Sequence, residues 1–217
     1  MRGLGWERWG AVSGIIFVVL IVVGFTLLPQ GPGSEGTAQE FTDFFTDNRN
    51  PNPTSVGTAL VALAGFFFLW FVGALWARLR QAEGAPGWGS GVAFAGGVAY
   101  VVLFFMATSA NVAMSNSLSR YDNFQVDPNS GMLLRGMSYW LLGHAGVAAG
   151  VLISATSAVA IKTRVLPLWL AWPGFAVAVL SVLAIFLWWF IWLVWLWVLL
   201  TSVLMLIRRT DAAQPST

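Results

Sequence analysis

Five stretches of this chain carry no charged side chain: residues 9–34, 50–77, 84–119, 136–161 and 165–207. A helix needs about 20 mostly apolar residues to cross roughly 30 Å of hydrocarbon, because lipid offers bare backbone groups no partner. Each stretch is long enough. The apolar cores run 11–29, 55–77, 90–114, 138–161 and 166–207. As one helix the last would reach about 63 Å, twice the bilayer core. Either it folds back as a hairpin, 166–185 and 188–207, with its turn near Ile185–Trp188, or part of it lies outside the membrane. Trp188 and Trp189 would mark the outer interface there.

The charges between the stretches agree with six spans. With a cytoplasmic N-terminus, the inner segments hold Arg2, Arg8, Arg78, Arg80, Lys162, Arg164, Arg208 and Arg209. The outer segments hold only Arg49, Arg120 and Arg135, against Glu35, Glu40, Asp43, Asp47, Asp122 and Asp127. That asymmetry is positive-inside orientation, and an odd number of spans after Arg164 would strand Arg208 and Arg209 outside. The expected fold is an all-α membrane protein, one six-transmembrane-helix bundle over 1–217 with both termini cytoplasmic. Arg2 and Arg8 precede an apolar tract too long for a cleaved signal peptide, and no A-x-A-like site follows, so the first span reads as a retained anchor.

Composition closes off other classes. Charged residues make up 9% of the chain, where a soluble domain carries about 25%. There is no cysteine and a single histidine, which leaves out disulfides, thiolate chemistry, bis-His haem and a zinc-protease pair. The basic residues stand singly or in pairs, so no nucleic-acid face is expected. No cofactor or metal is implied. The expected partners are the lipid bilayer and other membrane proteins.

The first outer connection contains Thr37-Ala38-Gln39-Glu40, which has capping-box spacing, followed by Phe41, Phe44 and Phe45. A short amphipathic helix is expected there, its Phe face on the outer leaflet or on the tops of the spans. Asn50-Pro51-Asn52-Pro53 should end it, with Thr54 or Ser55 capping the second span.

In lipid, helices associate where small side chains let backbones approach. Gly87, Gly91, Ala95 and Ala99 form such a stripe on the third span, with Gly96 and Gly97 beside it; Gly146, Gly150, Ser154 and Ala158 form one on the fourth. These two stripes are expected to press spans three and four together. Gly57, Val61 and Gly65 mark the second span. Trp188, Trp189, Trp192, Trp195 and Trp197 crowd the sixth, which is expected at the periphery, facing lipid. Pro173-Gly174 should kink the fifth.

No Asp, Glu, Lys or Arg falls inside any core, so His144 is the one ionisable candidate. Thr108, Ser109 and Asn111 lie at a comparable depth near the outer end of the third span. If spans three and four pack as argued, Asn111 and His144 share a polar pocket with Tyr139 and Arg135 at its mouth. Its alternative is a neutral imidazole bonding two helices together.

Arg8-Trp9-Gly10 leading into Gly14-Ile15-Ile16-Phe17, Phe44-Phe45-Thr46-Asp47-Asn48-Arg49, Leu75-Trp76-Ala77-Arg78-Leu79-Arg80 and Leu166-Pro167-Leu168-Trp169-Leu170-Ala171-Trp172 give the chain a resemblance to uncharacterised six-span actinobacterial membrane proteins, grouped as domains of unknown function. The resemblance implies a bacterial plasma membrane and the six-span fold, and brings no catalytic or binding residue. Three functions stay open: a non-enzymatic accessory or envelope-associated protein, a carrier or channel for a small neutral or lipidic molecule through the outer pocket, and a membrane enzyme with His144 as base. A filled interior favours the first, a cavity of several hundred Å³ lined by His144 the second, and an acid or nucleophile at the imidazole the third.

Overall fold

The computed structural model describes residues 4–28, 31–32, 36–47, 51–121, 123–125 and 127–207. The expectations placed on Arg2, Glu35, Asn48, Arg49, Asn50, Asp122, Arg208 and Arg209 lie outside the described residues, as do the side chains of Phe45 and Asp47. Every described element is helical: α1 (Leu4–Leu27), α2 (Ala38–Asp47), α3 (Pro51–Glu83), α4 (Trp88–Arg120), α5 (Pro128–Thr163), α6 (Leu168–Val182) and α7 (Ile191–Ile207). All but α2 contribute to six segments long and apolar enough to cross a membrane.

The long helices outrun the hydrophobic cores because intrahelical hydrogen bonding does not stop where hydrocarbon would. At α5 the start signal is local. Asp127 accepts from the Ser130 N–H at 3.0 Å and the Asn129 N–H at 3.3 Å, with Pro128 in the first turn where its missing N–H costs nothing. Pro51 opens α3 for the same reason, so Thr54 and Ser55 lie within that helix instead of capping it. In α2 the capping box closes: the Thr37 hydroxyl accepts from the Glu40 N–H at 3.2 Å, and Glu40 Oε2 from the Thr37 N–H at 2.9 Å.

Consecutive helices pack side by side, and α7 returns to meet α1, so α1, α3, α4, α5, α6 and α7 close a ring. At the arginine end the α3–α4 turn uses Gly84 and Gly87 at φ 76° and 67°, a backbone that favours glycine. The Glu83 carboxylate accepts from the Gly89 and Ser90 N–H groups, each at 2.8 Å, and so caps α4. The turn of the α6–α7 hairpin contains neither Gly nor Pro; it runs through two 3-10 segments, Leu183–Ile185 and Trp188–Phe190, joined at Phe186 and Leu187.

Two expectations about faces are corrected. On α4, Gly91 borders open space and Ala95 and Ala99 are exposed, while Gly87 serves the turn. The face towards α5 is Gly89, Ala93 and Gly96: a Cβ on Gly96 would stand 2.6 Å from the Leu152 nitrogen and 3.0 Å from the Ala148 oxygen. Gly91 follows Gly89 by two residues, just over half a turn at about 3.6 residues per turn, so the expected stripe lies on the opposite side of the helix. On α5, Gly146 and Gly150 are buried against α6, not α4; their added Cβ atoms would meet the Ser181 and Ala178 oxygens at 2.2 and 3.0 Å. Ser154 is only half-buried and donates to the Val151 carbonyl in its own helix.

The second correction concerns the last helix. α7 is not peripheral, since Trp195, Trp197, Thr201 and Ser202 are all buried. Close approach needs a gap on only one of two helices, and α1 supplies it: a Cβ on Gly14 would stand 2.0 Å from Ser202 Oγ. On α6, Gly174 makes room chiefly for Ser157 of α5, whose Oγ would stand 2.2 Å from an added Cβ, with Trp197 Nε1 at 3.5 Å, and α6 continues through Pro173 without interruption.

Candidate functional site

The ring has a solid axis. Phe17, Phe68, Phe71, Tyr100, Phe104 and Trp195 meet there, each no more than 4% exposed. The rings of Phe68 and Tyr100 lie 5.1 Å apart, and those of Phe17 and Phe68 4.8 Å. One hydrogen bond crosses this aromatic plug: Trp195 Nε1 donates to the Tyr100 hydroxyl at 2.9 Å, satisfying the indole where no water reaches. Nothing in the sequence reading singled out this pair. Its signal was Tyr100, a hydroxyl in the middle of an apolar span.

Polar side chains gather at the end of the bundle that carries α2. Arg135 stands two turns into α5, and its guanidinium reaches three separate segments. Nη1 donates to Asn111 Oδ1 on α4; Nη2 donates to the Tyr139 hydroxyl at 3.1 Å and towards the Gly31 carbonyl, beyond α1, at 3.5 Å. Tyr139, one turn on in the same helix, also places its ring centroid 4.8 Å from the guanidinium carbon. Every one of these partners is neutral. Arg135 Nε is buried with no partner among the described residues.

Two small cavities flank the guanidinium, both lined by Asn111 and Arg135. One, about 20 Å³, is closed by Phe41, Phe44 and Met114 under α2. The other, about 50 Å³, is bounded by Phe25, Ser138, Tyr139, Leu142 and Trp188. Site volumes for organic ligands are about 300–1,000 Å³, so these are spaces for water or an ion. Phe41 is buried against Met114, with Phe44, Leu118, Phe124 and Met132 around it, so α2 packs its Phe face on the tops of α4 and α5.

Of the residues expected in a shared pocket, the structure unites Asn111, Arg135 and Tyr139 and leaves the others out. His144 is exposed, lines neither cavity, and holds Nδ1 2.6 Å from its own helix's Trp140 carbonyl. It follows Arg135 by nine residues, which at about 3.6 residues per turn places it half a turn away. The spacing alone could have shown this. Thr108 is buried and donates to the Phe104 carbonyl at 2.9 Å, satisfied within α4. Ser109 is exposed. Among the described residues no three His, Asp or Glu side chains stand close enough to share a metal ion.

Fold and site together define a helical bundle of the membrane-spanning kind with a filled axis. No family model matches this chain, and neither does any curated protein or solved structure.

Proposed function

We propose that this is a multi-pass protein of a bacterial plasma membrane, both termini cytoplasmic, acting as a non-enzymatic accessory or envelope-associated component through contacts with other membrane proteins. The observation that carries the reading is the aromatic plug. Phe68, Phe71, Tyr100 and Trp195 occupy the axis along which a carrier or channel would need an opening, and all are at most 1% exposed. The small cavities beside Arg135 suit water-sized occupants and not a transported solute. His144, the base that an enzyme reading would use, has a backbone carbonyl as its recorded polar partner.

Charge supports the orientation. Arg8, Arg78, Arg80, Lys162 and Arg164 lie at one end with Glu83, while Arg120 and Arg135 lie at the other with Glu40, Asp43 and Asp127. The setting in a bacterial plasma membrane rests on the likeness of the boundary motifs around Leu75–Arg80 and Leu166–Trp172.

The reading is tested in proteoliposomes. Swelling in glycerol or erythritol, and flipping of a fluorescent phospholipid, should match protein-free vesicles. Protein-dependent flux of either probe that falls on adding bulk at the axis would replace the accessory reading with a transport one.

A further inference from the structure

We propose that the space bounded by Phe25, Asn111, Arg135, Ser138, Tyr139 and Trp188 binds a small monovalent inorganic anion of chloride size. This stands apart from the accessory reading and needs no transport. The first ground is charge. Arg135 is a permanent cation whose recorded partners, an amide oxygen, a phenol and a carbonyl, solvate it without cancelling its charge. A cation at the edge of a low-dielectric region is costly without an opposite charge. Among the described residues no carboxylate lines either cavity beside it.

The second ground is a surplus of donors. The guanidinium can only donate, so it takes the Oδ1 side of Asn111 and leaves the Nδ2 hydrogens for another acceptor. Arg135 Nε–H is buried and has no partner among the described residues. Ser138 adds a hydroxyl to the same wall. Three residues that carry hydrogen-bond donors, Asn111, Arg135 and Ser138, thus line one space whose remaining walls include Phe25 and Trp188. What such a wall lacks is an acceptor, and preferably a charged one.

The third ground is size. A water molecule needs about 10–15 Å³ of such space, and the cavity offers about 50 Å³. Chloride, slightly larger than water, fits. A phospholipid head with its glycerol does not, and the guanidinium is turned inward, towards Asn111, Tyr139 and Gly31, not outward to the lipid surface.

The experiment uses the full chain in an uncharged maltoside detergent. Thermal unfolding is followed while sodium gluconate is replaced by sodium chloride at constant ionic strength. Chloride should raise Tm by roughly 3 °C at ten times its Kd and go on raising it with the logarithm of its concentration. Arg135→Gln should abolish the rise, Arg135→Lys should keep part of it, and Ser138→Ala should weaken chloride several-fold while leaving Tm in gluconate unchanged. Equal Tm in chloride and gluconate for the unaltered chain overturns the proposal, whatever the variants do. So does an undiminished chloride response in folded Arg135→Gln, which would make the effect a general salt one. Stabilisation by added phosphatidylglycerol with none by chloride also overturns it, assigning Arg135 to lipid phosphate instead.

Discussion

Tyr100 and Trp195 each bring one polar hydrogen to the least accessible part of the molecule, and each depends on the other. The indole N–H has the phenol oxygen at 2.9 Å; without it, a buried donor loses its acceptor. Leaving such a group unsatisfied costs about 1–3 kcal/mol. Tyr100→Phe should therefore lower stability by that order. Trp195→Phe should cost more, because it also removes packing against Phe25, Phe104 and Trp192. Unfolding in detergent of both singles and the double variant measures the coupling; additive losses would show that the bond contributes nothing. A second residue-scale outcome concerns pH. The Ser130 hydroxyl and N–H beside Asp127, with the Asn129 N–H, hold its carboxyl below the ordinary 3.8. A lowered folded-state pKa means the cap's contribution is present above the ordinary carboxyl range and fades as pH falls through the lowered value. Protection of the Ser130 amide from exchange should follow that course and be absent at every pH in Asp127→Ala. At this scale the sequence is least informative, because residue type does not fix side: Trp140 is 62% exposed and Trp195 1%. In a chain meant for lipid, the outward and inward faces are equally apolar, so composition cannot separate them.

Helices in this bundle touch where glycine permits, and the contacts are between backbones. Gly24 and Gly57 oppose each other on α1 and α3, each within 3.0 Å of where the other's carbonyl oxygen meets an added Cβ. On α5, an added methyl at Gly146 would lie 2.2 Å from the Ser181 oxygen, which belongs to a helix and cannot swing aside. Gly91 has open space. Gly146→Ala should thus open the α5–α6 seam and lower the unfolding temperature clearly. Gly91→Ala should be neutral or stabilise by up to about 1 kcal/mol through helix propensity. Equal effects of the two would contradict this assignment of faces. That six long helical segments exist was legible, since the charge-free tracts are long, and so was the Thr37–Glu40 cap; their extents were not, because α3 and α5 run well past the apolar cores. Which glycine faces which neighbour was not, because α4 packs on α3 through Gly97 and on α5 through Gly96, adjacent residues serving two partners. One stripe per helix was too simple.

For the molecule as a whole, the absence of cysteine makes the proposed orientation straightforward to test. A single thiol at Asp43→Cys or Gln125→Cys should react with a membrane-impermeant maleimide on intact cells. One at Gln81→Cys or Lys162→Cys should react only after permeabilisation. The opposite pattern would invert the topology. The hairpin of the last two helices was readable from length and flanking charge together, because no single helix of that extent fits a bilayer and basic residues stand at both ends of the stretch. The burial of Trp195 and Trp197 within it was not readable, since five tryptophans in ten residues suggest a lipid-facing helix.

Ring closure also has a consequence in time. Because α7 is the last of the described helices and the one that joins α1 to α6, a nascent chain ending near Leu187 holds an open arc, with the Tyr100 hydroxyl awaiting its indole and the notch at Gly14 empty. Arrival of the sixth span then locks the earlier helices together, and until it arrives the protein should be an easy target for membrane proteases.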